Sequence, residues 1–149
     1  MALKLTLKPH ERLIIGGAAV TNGNSKCDLL IENNVPILRE KNILRQEDAN
    51  TPCSRIYFII QLMYVDQQNL SEHHKTYWQL VRDVVRAAPS TLGLIDQISQ
   101  NILVNKFYEA LKLAKKLVAY EQEVMNYARK SGGSIGDVSE NSCGNDVGP

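Results

Sequence analysis

Hydrophobic and polar side chains alternate along the first forty residues of the chain, a pattern typical of β-strands. In residues 3–8 the leucines fall on one face and Lys4, Thr6 and Lys8 on the other, because successive side chains of a strand point to opposite sides. The same pattern predicts strands over residues 12–20 with a break at Gly16 and Gly17, over 27–32 and over 35–39. The sequence therefore predicts a small antiparallel β unit.

Turn residues separate these strands. Asn22 and Gly23 are suited to the positive backbone angles of a tight hairpin, and Asn33 with Asn34 marks another turn. Pro36 has no N–H to donate to a neighbouring strand, so the last strand is predicted to lie at a sheet edge or to begin irregularly.

The hydrophobic period becomes helical after Asn42. Thr51 followed by Pro52 is typical of a helix start, with the hydroxyl as cap and proline in the first turn. The apolar run that follows, up to Val65, is interpreted as a helix, although a buried strand is also consistent with it. Three more helices are predicted, and they begin at Ser71, at Ser90 or Thr91, and at Asn105. The last is expected to end near Lys130.

Residues 131–149 are rich in Gly, Ser, Asn and Asp and nearly free of large apolar side chains. Such a segment does not bury enough apolar surface to offset its ordering entropy, so it is predicted to be a disordered tail. The predicted fold class is α+β. Residues 1–45 form the β unit, residues 46–130 form a bundle of about four helices, and residues 131–149 form the tail.

Charge, cysteine spacing and the length of apolar runs restrict the classes of protein to which the chain can belong. The formal net charge is only +1, but residues 1–55 carry 8 basic and 6 acidic side chains and residues 105–130 carry 6 and 3. The three cysteines lie far apart without CxxC spacing, which predicts neither a disulfide framework nor a zinc site and suits a reducing cytoplasm. No apolar run has the length of a signal peptide or a membrane span, so a cytoplasmic protein without membrane contact is expected.

A search for catalytic chemistry finds no candidate. Neither glycine pair precedes the Lys-Ser or Lys-Thr of a phosphate loop. His73 and His74 are neighbours on a helix, where their side chains point about 100° apart and do not easily share one metal ion. No Ser, His and Asp set stands out as a nucleophile with its base. The protein is therefore predicted not to be an enzyme and to need no cofactor or metal.

RNA binding is the more specific possibility. Proteins bind single-stranded RNA through side chains at a sheet edge, while cationic side chains contact its phosphates. Lys4, Thr6 and Lys8 on the first strand, with Arg39 and Lys41 at the end of the last, are the right residue types if these strands lie side by side. A solvated sheet face explains the same residues without RNA.

Two segments of the β unit resemble the carbon storage regulator family. They are HERLIIG and VPILREKNI, at the two ends of the unit. The resemblance implies a small β protein that binds hairpin loops in messenger leaders, with RNA contacts at Leu5, Thr6, Lys8 and Arg39. Two features differ from that family: the middle of the unit is shorter, and Lys41 replaces the second glutamate of its late motif.

A second resemblance covers the chain to about residue 130. The segments LKLTLKPHERLIIGGAAVTNG, VPILREKNIL, TPCSRIYFIIQLMYVD and NKFYEALKLAKKLVAYE are similar, in this order, to the flagellum biosynthesis repressor FlbT family. The resemblance implies a cytoplasmic post-transcriptional regulator that associates with the 5′ untranslated leader of flagellin messenger RNA and lowers its translation and stability. It also implies coupling to the partner protein FlaF. Some members of the family act as activators, so the sign of regulation stays open.

The residues and the resemblance together predict different functions for the β unit and the helical half. The β unit is expected to contact RNA through Lys4, Leu5, Thr6, Lys8, Arg12, Arg39 and Lys41. Arg39 is the first choice among them, because a guanidinium grips a phosphate or a guanine edge with two bonds.

The helical half is expected to bind a FlaF-like partner or to form a homodimer through Leu111, Val118 and Tyr120. The alternative for these apolar residues is the protein's own core. The alternative function is a non-enzymatic adaptor or chaperone of flagellin that acts with FlaF through protein contacts.

Overall fold

The computed structural model describes the backbone of residues 2–135 and the side chains of residues 2–130. Over this part of the chain, strands come first and helices follow. The strands are β1 (Leu3–Leu7), β2 (Arg12–Ile15), β3 (Ala18–Thr21), β4 (Cys27–Ile31) and β5 (Ile37–Arg39). The helices are α1 (Pro52–Val65), α2 (Leu70–Ala87), α3 (Leu92–Leu103) and α4 (Phe107–Ile135). The predicted α+β class is confirmed.

The strands form two small antiparallel sheets. One sheet pairs β1 with β4, and the other has the order β3-β2-β5. As Pro36 predicted, β5 lies at an edge and begins only after the proline. The first and last strands, β1 and β5, do not share a sheet, so the condition that they lie side by side is not met. They are joined instead by the Arg39 side chain, described below.

The tight hairpin lies at a different pair of residues from the one predicted. Gly16 and Gly17 have φ values of 57° and 90° and join β2 to β3, because a two-residue hairpin of this kind needs positive φ at both central positions. Asn22 and Gly23 do not have positive φ. Instead, the Asn22 amide donates to the carbonyls of Lys8, at 2.8 Å, and Ser25, at 3.0 Å, and so closes the loop before β4.

Alternation along the strands produces three layers. Leu13 of β2 faces the β1–β4 sheet and packs in a small core with Leu5 and Leu7. Leu38 of β5 points the other way, toward the helices, where it is fully buried. The three-stranded sheet is therefore the middle layer between the β1–β4 sheet and the helical bundle.

Helix α1 begins as the sequence predicts. The Thr51 side chain accepts from the Ser54 N–H while the Ser54 hydroxyl accepts from the Thr51 N–H, which satisfies two backbone donors at the helix start. Glu121 of α4 reinforces this cap, because its carboxylate accepts from the Thr51 hydroxyl at 2.6 Å and from the Cys53 N–H at 3.2 Å. The open choice between helix and strand for the run after Pro52 is thus settled as helix.

Two boundaries of the helices differ from prediction. Ser71 lies inside α2 and does not cap it, since the helix begins at Leu70 after Asn69, which makes no side-chain cap. Helix α4 continues beyond Lys130 to Ile135. Residues 131–135 of the predicted disordered tail are therefore helical, and residues 136–149 lie outside the described part of the chain.

Buried side chains of the four helices form the main core. It includes Ile56 and Ile60 of α1, Tyr77 of α2, Ile98 of α3 and Leu117 of α4, each with no exposed surface. None of the helices within residues 2–135 combines the length and the hydrophobicity that a membrane span requires.

Candidate nucleic-acid interface

A tight turn after β1 places two charged side chains side by side. The Glu11 N–H donates to the Lys8 carbonyl at 3.1 Å, with Pro9 and His10 between them. Pro9 fixes its own φ, and His10 takes the left-handed φ of 62° that the third position of such a turn needs. The Lys8 N–H then donates to the Glu11 carboxylate at 2.9 Å. The turn therefore aims Lys8 and Glu11 at the same side of the β unit.

Arg39 reaches this turn from β5. Because Leu38 points into the helices, Arg39 must point to the opposite face, toward β1. Its Nη2 donates to the Thr6 carbonyl at 2.9 Å and to the Glu11 carboxylate at 2.8 Å, and its Nε also donates to Glu11 at 3.2 Å. The Lys8 N–H and the Arg39 guanidinium together hold the pKa of Glu11 below its ordinary value of 4.5.

These side chains line an open groove of about 590 Å³. Its walls come from the turn, from the end of β5 with the 3₁₀ turn that follows it, and from the first turn of α4. The lining residues are Lys8, Glu11, Arg39, Glu40, Lys41, Asn42 and Tyr108. Three of them are cations and two are anions, so the groove carries a net positive charge. We call it the cationic groove.

Helix α1 holds the groove wall in place with three polar side chains spaced along one face. The Tyr57 hydroxyl donates to the Asn42 carbonyl at 2.6 Å. Gln61 accepts from the Leu44 N–H at 2.8 Å and donates to its carbonyl at 3.0 Å. Tyr64 accepts from the Ile37 N–H at 3.2 Å. Burial raises the pKa of Tyr57 to about 12, so its hydroxyl keeps the proton it donates. The helices therefore fix the segment that carries Arg39 and Lys41.

Tyr108 is a groove residue that the sequence analysis missed. Its side chain is 40% exposed, its ring lies 5.7 Å from that of Tyr64, and the Lys112 ammonium sits 5.4 Å from its centre. Lys115, one turn further along α4, donates to the Asn42 amide oxygen at 3.2 Å. The position of Tyr108 one turn before Lys112, on one face of α4, is visible in the sequence and is the pattern that could have identified the tyrosine.

A smaller groove of about 220 Å³ continues the basic surface. It contains Arg12, which had been predicted as an RNA contact, and Arg45, which had not. Glu40 lines both grooves, and its carboxylate accepts from the Arg12 N–H at 2.6 Å. Arg12 therefore adjoins the cationic groove without lining it.

The remaining predicted RNA contacts lie elsewhere on β1. Lys4 and Thr6 occupy the outer face of the β1–β4 sheet, where Asp28 accepts from the Thr6 hydroxyl at 2.8 Å and lies 3.7 Å from the Lys4 ammonium. Leu5 is buried in the small core, so its side chain is not available to a ligand. Of the predicted residues, the structure brings Lys8, Arg39 and Lys41 together.

The predicted partner-binding residues on α4 differ in exposure. Leu111 is buried in the helical core and is unsuited to partner contact, which agrees with the alternative interpretation of the apolar stripe. Val118 is half-buried. Tyr120 is exposed, and its hydroxyl lies 2.8 Å from that of Ser90. Only the later part of the predicted surface is therefore accessible.

Cys53 and His73 each lie beside a carboxylate. Cys53 is buried beside Glu121, and burial followed by this carboxylate raises the pKa of its thiol to about 12. His73 pairs with Asp66 at 3.2 Å, between the end of α1 and α2. Within these residues no three His, Cys, Asp or Glu side chains come together as a metal site.

Comparison with known proteins assigns the chain to a family. The sequence profile of the family described as "Flagellar protein FlbT" matches residues 3–125. The chain belongs to the FlbT family. This FlbT protein is 50% identical over 125 residues to the "Probable flagellum biosynthesis repressor protein FlbT 1" of Bradyrhizobium diazoefficiens, an alignment that covers 83% of this chain and 85% of the relative.

Two relatives of lower sequence identity carry the same family name. The "Probable flagellum biosynthesis repressor protein FlbT" of Rhodopseudomonas palustris is 37% identical, with 85% of this chain and 99% of the relative aligned. The "Flagellum biosynthesis repressor protein FlbT" of Caulobacter vibrioides is 31% identical, with 93% and 99% aligned. No solved structure matches the chain. These names place the chain in a family of flagellum biosynthesis regulators.

Proposed function

We propose that this FlbT protein binds the 5′ untranslated leader of flagellin messenger RNA in the cationic groove and lowers its translation or stability. The observation that carries the proposal is the arrangement of Lys8, Arg39 and Lys41 around the exposed ring of Tyr108. Proteins that bind single-stranded RNA combine a positively charged groove with aromatic rings on which bases stack. Both elements are present within one open groove.

Different side chains of the groove suit different parts of the RNA. Lys8 and Lys41 are exposed, so their ammonium groups can contact phosphates at little structural cost. The exposed part of the Tyr108 ring is the aromatic surface that a base can contact, beside the Lys112 ammonium. Arg39 keeps Nη1 for the ligand, because Nη2 donates to Thr6 and Glu11 and Nε donates to Glu11. These contacts hold the guanidinium in a fixed plane, so Nη1 is an oriented donor for a phosphate or a base edge.

The expected mode of regulation follows from the effect that a bound protein has on the accessibility of the messenger leader. A leader held in single-stranded form against a protein surface is hidden from the ribosome, which lowers translation. Messages that are not translated are exposed to cellular nucleases, so binding alone is enough to account for decay. The names of the relatives support repression as the direction of regulation.

The proposal is tested by titrating the purified protein with flagellin leader RNA at two salt concentrations. We expect a specific complex whose affinity falls steeply as salt rises, because phosphate contacts release counterions. Lys8→Gln and Lys41→Gln should each reduce the slope of log affinity against log salt by about 1. Lys75→Gln is the matched control, because Lys75 is an exposed lysine on α2, a helix that contributes no side chain to the groove.

Two further variants separate stacking and base reading from charge. Tyr108→Ala should cost about 1–3 kcal/mol of binding free energy if a base stacks on the ring. Arg39→Lys keeps the charge but loses the contacts through which Thr6 and Glu11 fix the guanidinium, so it should relax discrimination between leader sequences more than it changes the salt slope. The absence of a salt-dependent complex, or equal losses with Lys75→Gln and Lys8→Gln, would refute the assignment of this groove.

The second candidate function is an adaptor that acts on flagellin or its assembly through protein contacts with a FlaF-like partner. It is favoured by the exposed apolar side chains of α4 beyond Val118, which include Tyr120, Val124 and Tyr127. The same titration distinguishes the two functions. An adaptor would bind purified FlaF but would form no specific complex with leader RNA at either salt concentration.

A further inference from the structure

An apolar stripe on α4 continues beyond the bundle that buries its first half. Leu117, Tyr120, Val124 and Tyr127 follow one another at alternating spacings of three and four residues, the repeat of a coiled-coil seam. Leu117 has no exposed surface, whereas Tyr120 is 38%, Val124 48% and Tyr127 75% exposed. The later half of the seam is therefore formed but has no partner within the described residues. We call residues 120–130 the α4 extension.

An apolar groove lies at the base of this extension. It measures about 420 Å³ and runs between α4, the start of α1 and the end of α2. Its α4 wall consists of Tyr120, Glu121, Val124 and Met125, and its charged lining residues are the acidic Asp83 and Glu121. The far end of the extension carries the opposite charge, with Arg129 and Lys130.

We propose that two copies of this chain associate through their α4 extensions, packed antiparallel about a two-fold axis. In this arrangement the basic end of each extension reaches the acidic groove at the base of the other. The seam residues of both copies then bury one another, as the first half of the seam is already buried in each bundle. The proposal goes beyond RNA binding and does not depend on it.

The charge pattern selects the antiparallel direction. Glu123 and Lys130 lie one heptad apart, so they occupy equivalent positions at the same edge of the seam. Two antiparallel copies bring Glu123 of one opposite Lys130 of the other, and symmetry makes this pair twice. In a parallel, in-register pair the position facing Glu123 is Ala128, so no such ion pair forms. Within residues 120–130, the charges are therefore complementary to a second copy in the antiparallel direction.

The same charges disfavour the chain's own last residues as occupant. Residues 136–149 contain Asp137, Glu140 and Asp146 and no basic side chain. An acidic segment would repel the acidic rim formed by Asp83 and Glu121. A second α4 extension carries a basic end, which complements the acidic rim of the groove. It also carries an apolar seam, which complements the apolar lining of the groove.

The first test measures the mass of the full chain by sedimentation equilibrium over a range of concentrations. We expect a reversible dimer. Val124→Glu should raise its dissociation constant by about 100-fold or more, because two unpaired carboxylates would be buried at the seam. Leu103→Glu is the matched control, since Leu103 is 66% exposed at the end of α3 and lies outside the extension. Circular dichroism verifies that both variants remain folded.

The second test exchanges charges. Glu123→Lys and Lys130→Glu should each weaken the dimer several-fold by creating like-charge pairs, and the double variant should recover most of the lost affinity because it restores both ion pairs in reverse. A wild-type chain that stays monomeric at every concentration overturns the proposal. A dimer that is equally sensitive to Leu103→Glu and Val124→Glu, or that shows no recovery in the double variant, overturns it as well.

Discussion

The β unit and the helical bundle are stabilised in different ways. The bundle buries side chains from all four helices in one continuous core, whereas the β1–β4 sheet and its neighbour enclose a core whose fully buried members are Leu5, Leu7 and Leu13. The β unit depends more on polar contacts. Asn22 closes a loop, Glu11 joins a turn to β5, and α1 holds the segment after β5 by hydrogen bonds.

This difference explains where a binding surface can form. A layer with a small core leaves charged side chains and backbone groups near the surface, where a ligand can reach them. Such a layer would be mobile alone, but Tyr57, Gln61 and Tyr64 of α1 attach it to the larger core. The bundle therefore supplies rigidity, and the β unit supplies the charged groups of the cationic groove.

The largest expected effect compares the two cores directly. Leu117→Ala removes a fully buried leucine of the helical core, and Leu13→Ala removes one of the β core that is only 1% exposed. Each should lower the free energy of unfolding by about 2–5 kcal/mol. Leu117→Ala should be at the upper end, because the larger helical core relaxes less into the cavity that the substitution leaves. Urea denaturation measures both. A larger cost for Leu13→Ala would reverse the comparison.

A smaller effect is expected from the attachment between the two regions. Gln61→Leu keeps side-chain volume but leaves the Leu44 N–H and carbonyl without their partner. We expect a loss of about 1–3 kcal/mol in unfolding free energy, because buried polar groups are left unsatisfied. Gln97→Leu, at an exposed position of α3, is the control and should change stability little. Equal effects of the two variants would mean that the attachment does not contribute.

The smallest expected effect concerns the ion pair within the β unit, which solvent screens. The pKa of Glu11 is lowered in the folded protein, so this carboxylate stabilises the fold above its ordinary value of 4.5 and loses that contribution as the pH falls through the folded pKa. Wild type should be more stable than Glu11→Gln at neutral pH, and the difference should shrink in acid. A urea series at several pH values checks this, and a difference that grows in acid would contradict it.

Much of the fold was predictable because its patterns are local. The strand faces, the edge position of β5 and the Thr51 start of α1 follow from neighbouring residues. Asn22 and Gly23 suit a tight hairpin by residue type, but in the structure the Asn22 amide is engaged with the distant carbonyl of Lys8. That contact depends on how the chain returns past Lys8, which no local pattern contains.

The candidate site was predictable only in part for the same reason. The cations Lys8, Arg39 and Lys41 could be named from their residue types. Leu5 is implied only by the resemblance, whereas the alternation along β1 places it on the apolar face, and the structure buries it in the small core. Tyr108 comes from a helix that begins after residue 105 and meets β5 only in the folded chain. Long-range contact, and not composition, makes it part of the groove.

The hydrogen bonds from α1 to the groove wall have a consequence for how this regulator responds to heat. Since Tyr57 and Gln61 tie residues 42–44 to the bundle, any loosening of α1 also releases the wall that positions Arg39 and Lys41. We therefore expect the affinity of the groove for a ligand to be lost over the same temperature interval in which the helical bundle unfolds. The temperature range over which the cationic groove keeps its shape is then set by α1, which contributes no lining residue to the groove.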